Sequence, residues 1–356
     1  MTGLPQMTLI TGDSVRSIPD RVSLARASSR DVGIDTMRGF AILMVIGIHS
    51  LQQPLSSWET LADAPLRPCV PIFLFASGYL TALAGRVPLA KRLKAALIPY
   101  AIAFVAAYIY MSLHNPAMDH QIGKTLARFV LGYVFVYYYV FVYVGCTLGL
   151  WLMFSAAGAS TPQSEQRLVV YLLLSIALGL IAGSYLDPLL ARLGYPDSLI
   201  EEVRMRDIPF WCSFMALGAL IAISGDRSIL HDMRGLILGA TLLAFLVYVA
   251  ARLSGLGDSA DYDSTAFFGY AALLCILLLV CDVRLPRVAA LGSGSYFIYL
   301  WHIFIVMLLR DHTGLHQLSP AVSFAVTYAI TASGSILALL AVRKFAPPHM
   351  IRWLGA

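Results

Sequence analysis

The stretch that decides the fold runs from Arg38 to Ser50 and reads RGFAILMVIGIHS. Ten residues that are apolar or glycine separate an arginine from a histidine, so the segment is greasy enough for lipid yet carries an ionisable group at each end. At 100° per residue, eleven steps bring His49 to within about 20° of Arg38 around a helix, and about 16 Å farther along its axis. One charge and one titratable ring therefore share a face. A ring of this kind inside an apolar span faces a bundle interior or a wet cavity and marks function by default. A structural histidine, bonded to a carbonyl or to Ser50, is the other reading of the same spacing. Asp35 stands three residues before Arg38, where a local ion pair can hold the guanidinium; Arg38 also reads as an anchor at the membrane edge.

The rest of the chain agrees with a membrane setting. Of 356 residues, 59% are hydrophobic and 13% charged, and the mean hydropathy is +0.76. This composition excludes an ordinary soluble domain. With roughly twenty apolar residues needed per helix, ten spans are expected near 37–54, 68–85, 94–113, 134–156, 167–183, 208–224, 235–252, 265–281, 291–310 and 320–342. Lys and Arg collect on one side of this arrangement, 17 of the 25. Short basic loops stay on the cytoplasmic side, so both termini are expected there. The fold class is thus an all-α polytopic membrane protein of about ten transmembrane helices.

Residues 1–30, with Arg16, Arg21, Arg26 and Arg30, read as a flexible basic cytoplasmic tail; 31–345 form the transmembrane domain, and 346–356 a short cytoplasmic tail. The five cysteines show no metal spacing and read as small packing residues. No metal site and no nucleic-acid partner are expected.

Several strings across the chain resemble the membrane-bound acyltransferase-3 family, integral membrane O-acyltransferases of surface carbohydrates. IDTMRGFAILMVIGIHS (34–50) is similar to its Asp, Arg-Gly, His signature. VPIFLFASGYL (70–80) looks like its FFxxSGY segment, KRLKAALIPY (91–100) like its basic stretch ending in Pro-Tyr, RDIPFWCSFMALGALIA (206–222) like its later glycine-bearing helix, and GSYFIYLWHIFIV (294–306) like its Tyr-Leu-x-His helix. They arrive in the family's order. Met37 stands where leucine is commoner, and Lys91 and Lys94 stand where arginine often does.

The resemblance implies transfer of an acyl group, most often acetyl, from cytoplasmic acyl-CoA to a carbohydrate hydroxyl presented from the opposite side, in a bacterial cytoplasmic (inner) membrane. Acetyl-CoA or another acyl-CoA is then the co-substrate. The carbohydrate acceptor, the bilayer and other polysaccharide-biosynthesis membrane proteins are the expected partners. His49 is expected as general base, with an acyl-histidine relay as the alternative, and Arg38 as part of the reactive machinery. Arg86, Lys91, Arg92 and Lys94 are the candidate cations for the phosphates of CoA, a cluster that also serves as a topology signal. Ser77, Tyr79 and the run Tyr133, Tyr137, Tyr138, Tyr139 and Tyr143 are candidates for stabilising an oxyanion. His302 is expected near the site. His114, His120, His312 and His316 are placed at outer helix ends and loops, and Trp58, Glu59, Asp187, Glu201, Glu202, Asp261, Tyr262 and Asp263 form the pool for sugar recognition. A transporter or flippase using the intramembrane Arg and His is the competing reading, and a non-catalytic membrane assembly partner is the third.

Overall fold

In the structure, a computed structural model, residues 31–115, 117–134, 136–158, 161–224, 227–255 and 264–356 are described. The basic tail and Asp261, Tyr262 and Asp263 lie outside the described residues, as does the side chain of His316. Val32–Ala356 forms one compact unit, and no strand occurs among the described residues.

The helices, in chain order, are α1 Val32–Ser50, α2 Ser57–Asp63, α3 Cys69–Leu83, α4 Leu89–His114, α5 Ile122–Leu131, α6 Tyr138–Ala157, α7 Pro162–Arg192, α8 Asp197–Met205, α9 Ile208–Ser224, α10 Arg227–Asp232, α11 Arg234–Ser254, α12 Thr265–Cys281, α13 Pro286–Ser293, α14 Ser295–His312, α15 Pro320–Phe345 and α16 Pro348–Leu354. A helix stands at each of the ten expected positions. Among the described residues, seven helical segments are long and apolar enough to cross a bilayer: α1, α4, α6, α7, the run Asp197–Ser224, α11 and α15. The pair α13–α14, bent by 78°, makes an eighth. Apolar helices α3 and α12 are shorter, at 15 and 17 residues.

Three expected boundaries need correction. α1 starts at Val32, five residues before the expected 37, which puts Asp35 and Arg38 inside the helix. The ninth span bends at Gly294, so only its part from Ser295 continues as α14. The loop expected at 184–207 is largely helical: α7 continues to Arg192 and α8 fills Asp197–Met205. Four of its charges pair locally, in the Asp187–Arg204 and Glu202–Arg206 ion pairs.

Packing between helices in lipid relies on close backbone approach at small residues, and glycines in the quoted motifs, with Gly292 just before the last of them, supply it. A Cβ on Gly39 would stand 2.2 Å from the Val288 carbonyl oxygen, and one on Gly292 1.8 Å from that of Asp35. α1 and α13 therefore touch backbone to backbone beside Arg38. The same holds between α3 and α9, where Gly78 faces the Met215 carbonyl and Gly218 that of Phe75 at 1.8 and 2.1 Å. The tryptophan and phenylalanines of α9, Trp211, Phe210 and Phe214, fill the core behind this seam with no exposed surface.

Candidate active site

α1 and α14 run alongside each other, and the face that carries Arg38 and His49 is the one turned to α14. At one end an Arg38 Nη donates to Ser295 Oγ at 3.1 Å, while its other Nη meets Asp35 Oδ1 at 3.3 Å. The ion pair expected from the three-residue spacing is thus present. Toward the other end, the rings of His49 and His302 lie 5.4 Å apart, centroid to centroid. Ser295 and His302 are two helical turns apart, about 10 Å along the axis of α14. Ser50 takes no part: its hydroxyl donates to Ile46 O at 2.7 Å.

Beside Arg38 opens a cavity of about 330 Å³, lined by Arg92, Ser77, Tyr139 and Tyr299 among others. Its size is at the low end of small-molecule sites. Tyr299 connects it to the histidines, since its ring also lies 6.4 Å from that of His302. The wall is built by sequence features that each have a local reason. Pro99 in α4 has no N–H to give the carbonyl four residues back, that of Ala95, and Ala95 and Ala96 line the cavity there. Tyr296 takes up the Ala96 carbonyl, donating to it at 2.6 Å. On the facing side the chain is broken between α5 and α6. Gly132 closes α5 in the left-handed conformation with φ 61°, and two hydroxyl bonds lay the segment against α14: Tyr299 to Val136 O at 2.6 Å and Tyr137 to Leu300 O at 2.8 Å. No side chain caps the start of α6, and its first-turn residue Tyr139 lines the cavity.

The expected donor cations separate. Arg92 reaches the cavity and has an Nη1 buried without a hydrogen-bond partner. Arg86, Lys91 and Lys94 are exposed and do not line it. The oxyanion candidates separate as well. Ser77 and Tyr139 are in the wall, with Tyr143, whereas Tyr79 is buried away from it. The Arg227 guanidinium donates to Tyr79 Oη and lies 4.9 Å above its ring. Tyr133 is exposed, under the guanidinium of Arg206.

At the far end of the bundle, Asp63 is buried between two guanidiniums: Arg67 donates to it, and Arg252 stands at 2.9 Å. Arg67 and Arg310 are the cations whose fields reach His49. This buried cluster was not legible in the sequence, where Arg67 and Arg252 count only as outer charges. Ser295, Tyr296 and Tyr299 were overlooked too, although the spacing of Tyr296, Tyr299 and His302 at three residues marks one helix stripe. Of the sugar-recognition pool, Glu59 is buried and accepts from the Ser56 N–H and hydroxyl at 2.9 and 2.7 Å; Trp58 and Glu201 are exposed. His114 stacks on Tyr110 at 4.1 Å and meets the ring of His312 at 5.5 Å. His120 bonds Tyr108 Oη at 2.9 Å. Near them, the ammonium of Lys124 holds the Asp119 carboxyl below its usual range.

No group of three or more metal-ligating side chains occurs among the described residues. Neither the curated proteins nor the solved structures returned a match to the chain. A family model does match, described as an acyltransferase domain and spanning residues 31–340. That interval holds the cavity, the histidine pair and every motif quoted above: the chain belongs to the acyltransferase-3 family, a membrane acyltransferase by that membership.

Proposed function

We propose that the protein transfers an acyl group, acetyl in the first instance, from cytoplasmic acyl-CoA to a hydroxyl of a surface or exported carbohydrate, in the cytoplasmic membrane of a bacterium. The observation that carries this reading is the cavity itself: two residues bearing guanidiniums, Arg38 and Arg92, line one space, and another of its wall residues, Tyr299, makes a ring contact with His302 of the His302–His49 pair. Its volume of about 330 Å³ accommodates a short acyl chain and part of a pantetheine arm. The nucleotide then stays at the mouth, within the field of Arg86, Lys91 and Lys94.

In this reading Arg38 and Arg92 pair with the anionic part of the donor. His49 takes the proton of the acceptor hydroxyl, whose oxygen attacks the thioester carbonyl. The developing oxyanion meets the Ser77 hydroxyl and the uncapped amide end of α6, a positive pole. The C–S bond breaks, and the proton passes from His49 to the departing thiolate. Bringing both substrates together lets the transfer run in one step, with no acyl-histidine needed.

The test is to compare ester-linked acyl groups on surface glycans by NMR in a deletion strain complemented with wild type, His49→Ala or Arg38→Ala. Loss of a general base costs about 10²–10⁴ in rate, so His49→Ala should restore essentially no ester. Restoration at the wild-type level would overturn the mechanism. Export of the glycan surviving His49→Ala, with no consumption of acyl-CoA by the wild type, would instead favour a flippase.

A further inference from the structure

His302 is wholly buried, with 0% of its surface exposed. Its Nδ1 lies 3.0 Å from the Ile298 carbonyl oxygen and 2.9 Å from that of Tyr299. A carbonyl oxygen only accepts, so Nδ1 must carry the hydrogen. Nε2 is then the lone-pair nitrogen, and it is buried without a hydrogen-bond partner. Leaving such an acceptor unmade is costly, which is the mark of a group waiting for a donor. The ring of His49 meets that of His302 from another helix, 5.4 Å away centroid to centroid.

We infer that His302 is the positioning partner of His49: its Nε2 accepts the N–H of His49, directly or through one water, and so leaves the other nitrogen of His49 bare toward the acceptor hydroxyl. This rests on the function proposed above and extends it. The proton balance is closed. As His49 takes the hydroxyl proton at its bare nitrogen, the proton on its other nitrogen moves toward Nε2 of His302, and the charge is shared between two rings. The transfer reverses when the departing thiolate is protonated, so both histidines end neutral. The two carbonyls on Nδ1 fix the tautomer throughout, as the orienting third group of a nucleophile–base array does. Tyr299 on α14 makes a ring contact with His302, and the charges of Arg310, farther along α14, and of Arg67, in the turn between α2 and α3, act on His49.

The experiment uses the full chain in native membrane vesicles, with radiolabelled acetyl-CoA as donor and the endogenous acceptor, and measures the pH dependence of kcat together with KM for acetyl-CoA. His302→Phe keeps ring volume but offers no acceptor, and His302→Gln restores an acceptor oxygen that cannot titrate. His302→Phe should lower kcat by about 10²-fold or more with little change in KM. His302→Gln should recover at least tenfold of that loss while its acidic limb departs from wild type. Wild-type kcat in His302→Phe, or an unchanged acidic limb in His302→Gln, would overturn the inference, and the second reading decides even where His302→Phe fails to fold. Absence of transfer by the wild type would instead count against the proposed function.

Discussion

Neighbouring cations of the basic cluster differ in what is left unbonded. Arg92 and Lys94 are two residues apart in one basic cluster, yet only Arg92 enters the cavity, and its buried Nη1 lacks a partner. Losing a charged hydrogen bond to a bound anion costs about 1.5–3 kcal/mol, or roughly 10- to 100-fold. Arg92→Ala should therefore raise KM for acetyl-CoA by that factor in membrane vesicles, while Lys94→Ala changes it far less. A different kind of residue is Asp63, whose carboxylate compensates two buried guanidiniums. Removing one member of a buried array costs about 3–5 kcal/mol, because the remaining charge is stranded. Asp63→Asn should lower the thermal midpoint of the detergent-solubilised protein sharply. Asp119→Asn, which removes an exposed partner of Lys124, should leave it in place.

Between elements, the decisive contacts are backbone to backbone, and they explain why glycines recur in the motifs. A methyl on Gly218 has nowhere to go: it would stand 2.1 Å from the Phe75 carbonyl oxygen, and α3 cannot retreat without opening the seam that holds Ser77 against the cavity. Gly239 on α11, with nothing within 4 Å of an added Cβ, is the matched control. Gly218→Ala should lose monodisperse protein on size exclusion, and Gly239→Ala should retain it. Such seams were only partly legible in advance. Hydrophobic length alone located a helix at all ten expected positions, because desolvating a backbone in lipid demands it. The angular step between Arg38 and His49 likewise survives as a shared face toward α14. What escaped was the break between α5 and α6, the 78° bend at Gly294, and the burial of Tyr79 under Arg227. Each depends on which helix becomes a neighbour, and a single chain's periodicity does not record its neighbours.

For the whole molecule, the proposed chemistry requires a direction: donor side inward, histidine pair between, acceptor side outward. The distribution of Lys and Arg supports that orientation through the positive-inside bias, and the cysteines make it testable without rebuilding the chain. Cys69, Cys146, Cys212 and Cys275 are buried, whereas Cys281, at the end of α12 expected inside, is exposed. A membrane-impermeant maleimide should leave wild type unlabelled in intact spheroplasts and label it once the membrane is opened. Ser198 is exposed at the start of α8, on the side expected outward. Ser198→Cys in a Cys281→Ser background should label in intact spheroplasts. The reverse pattern would turn the cavity of Arg38 and Arg92 to the outside, away from any cytoplasmic thioester, and a donor other than acyl-CoA would then have to be sought.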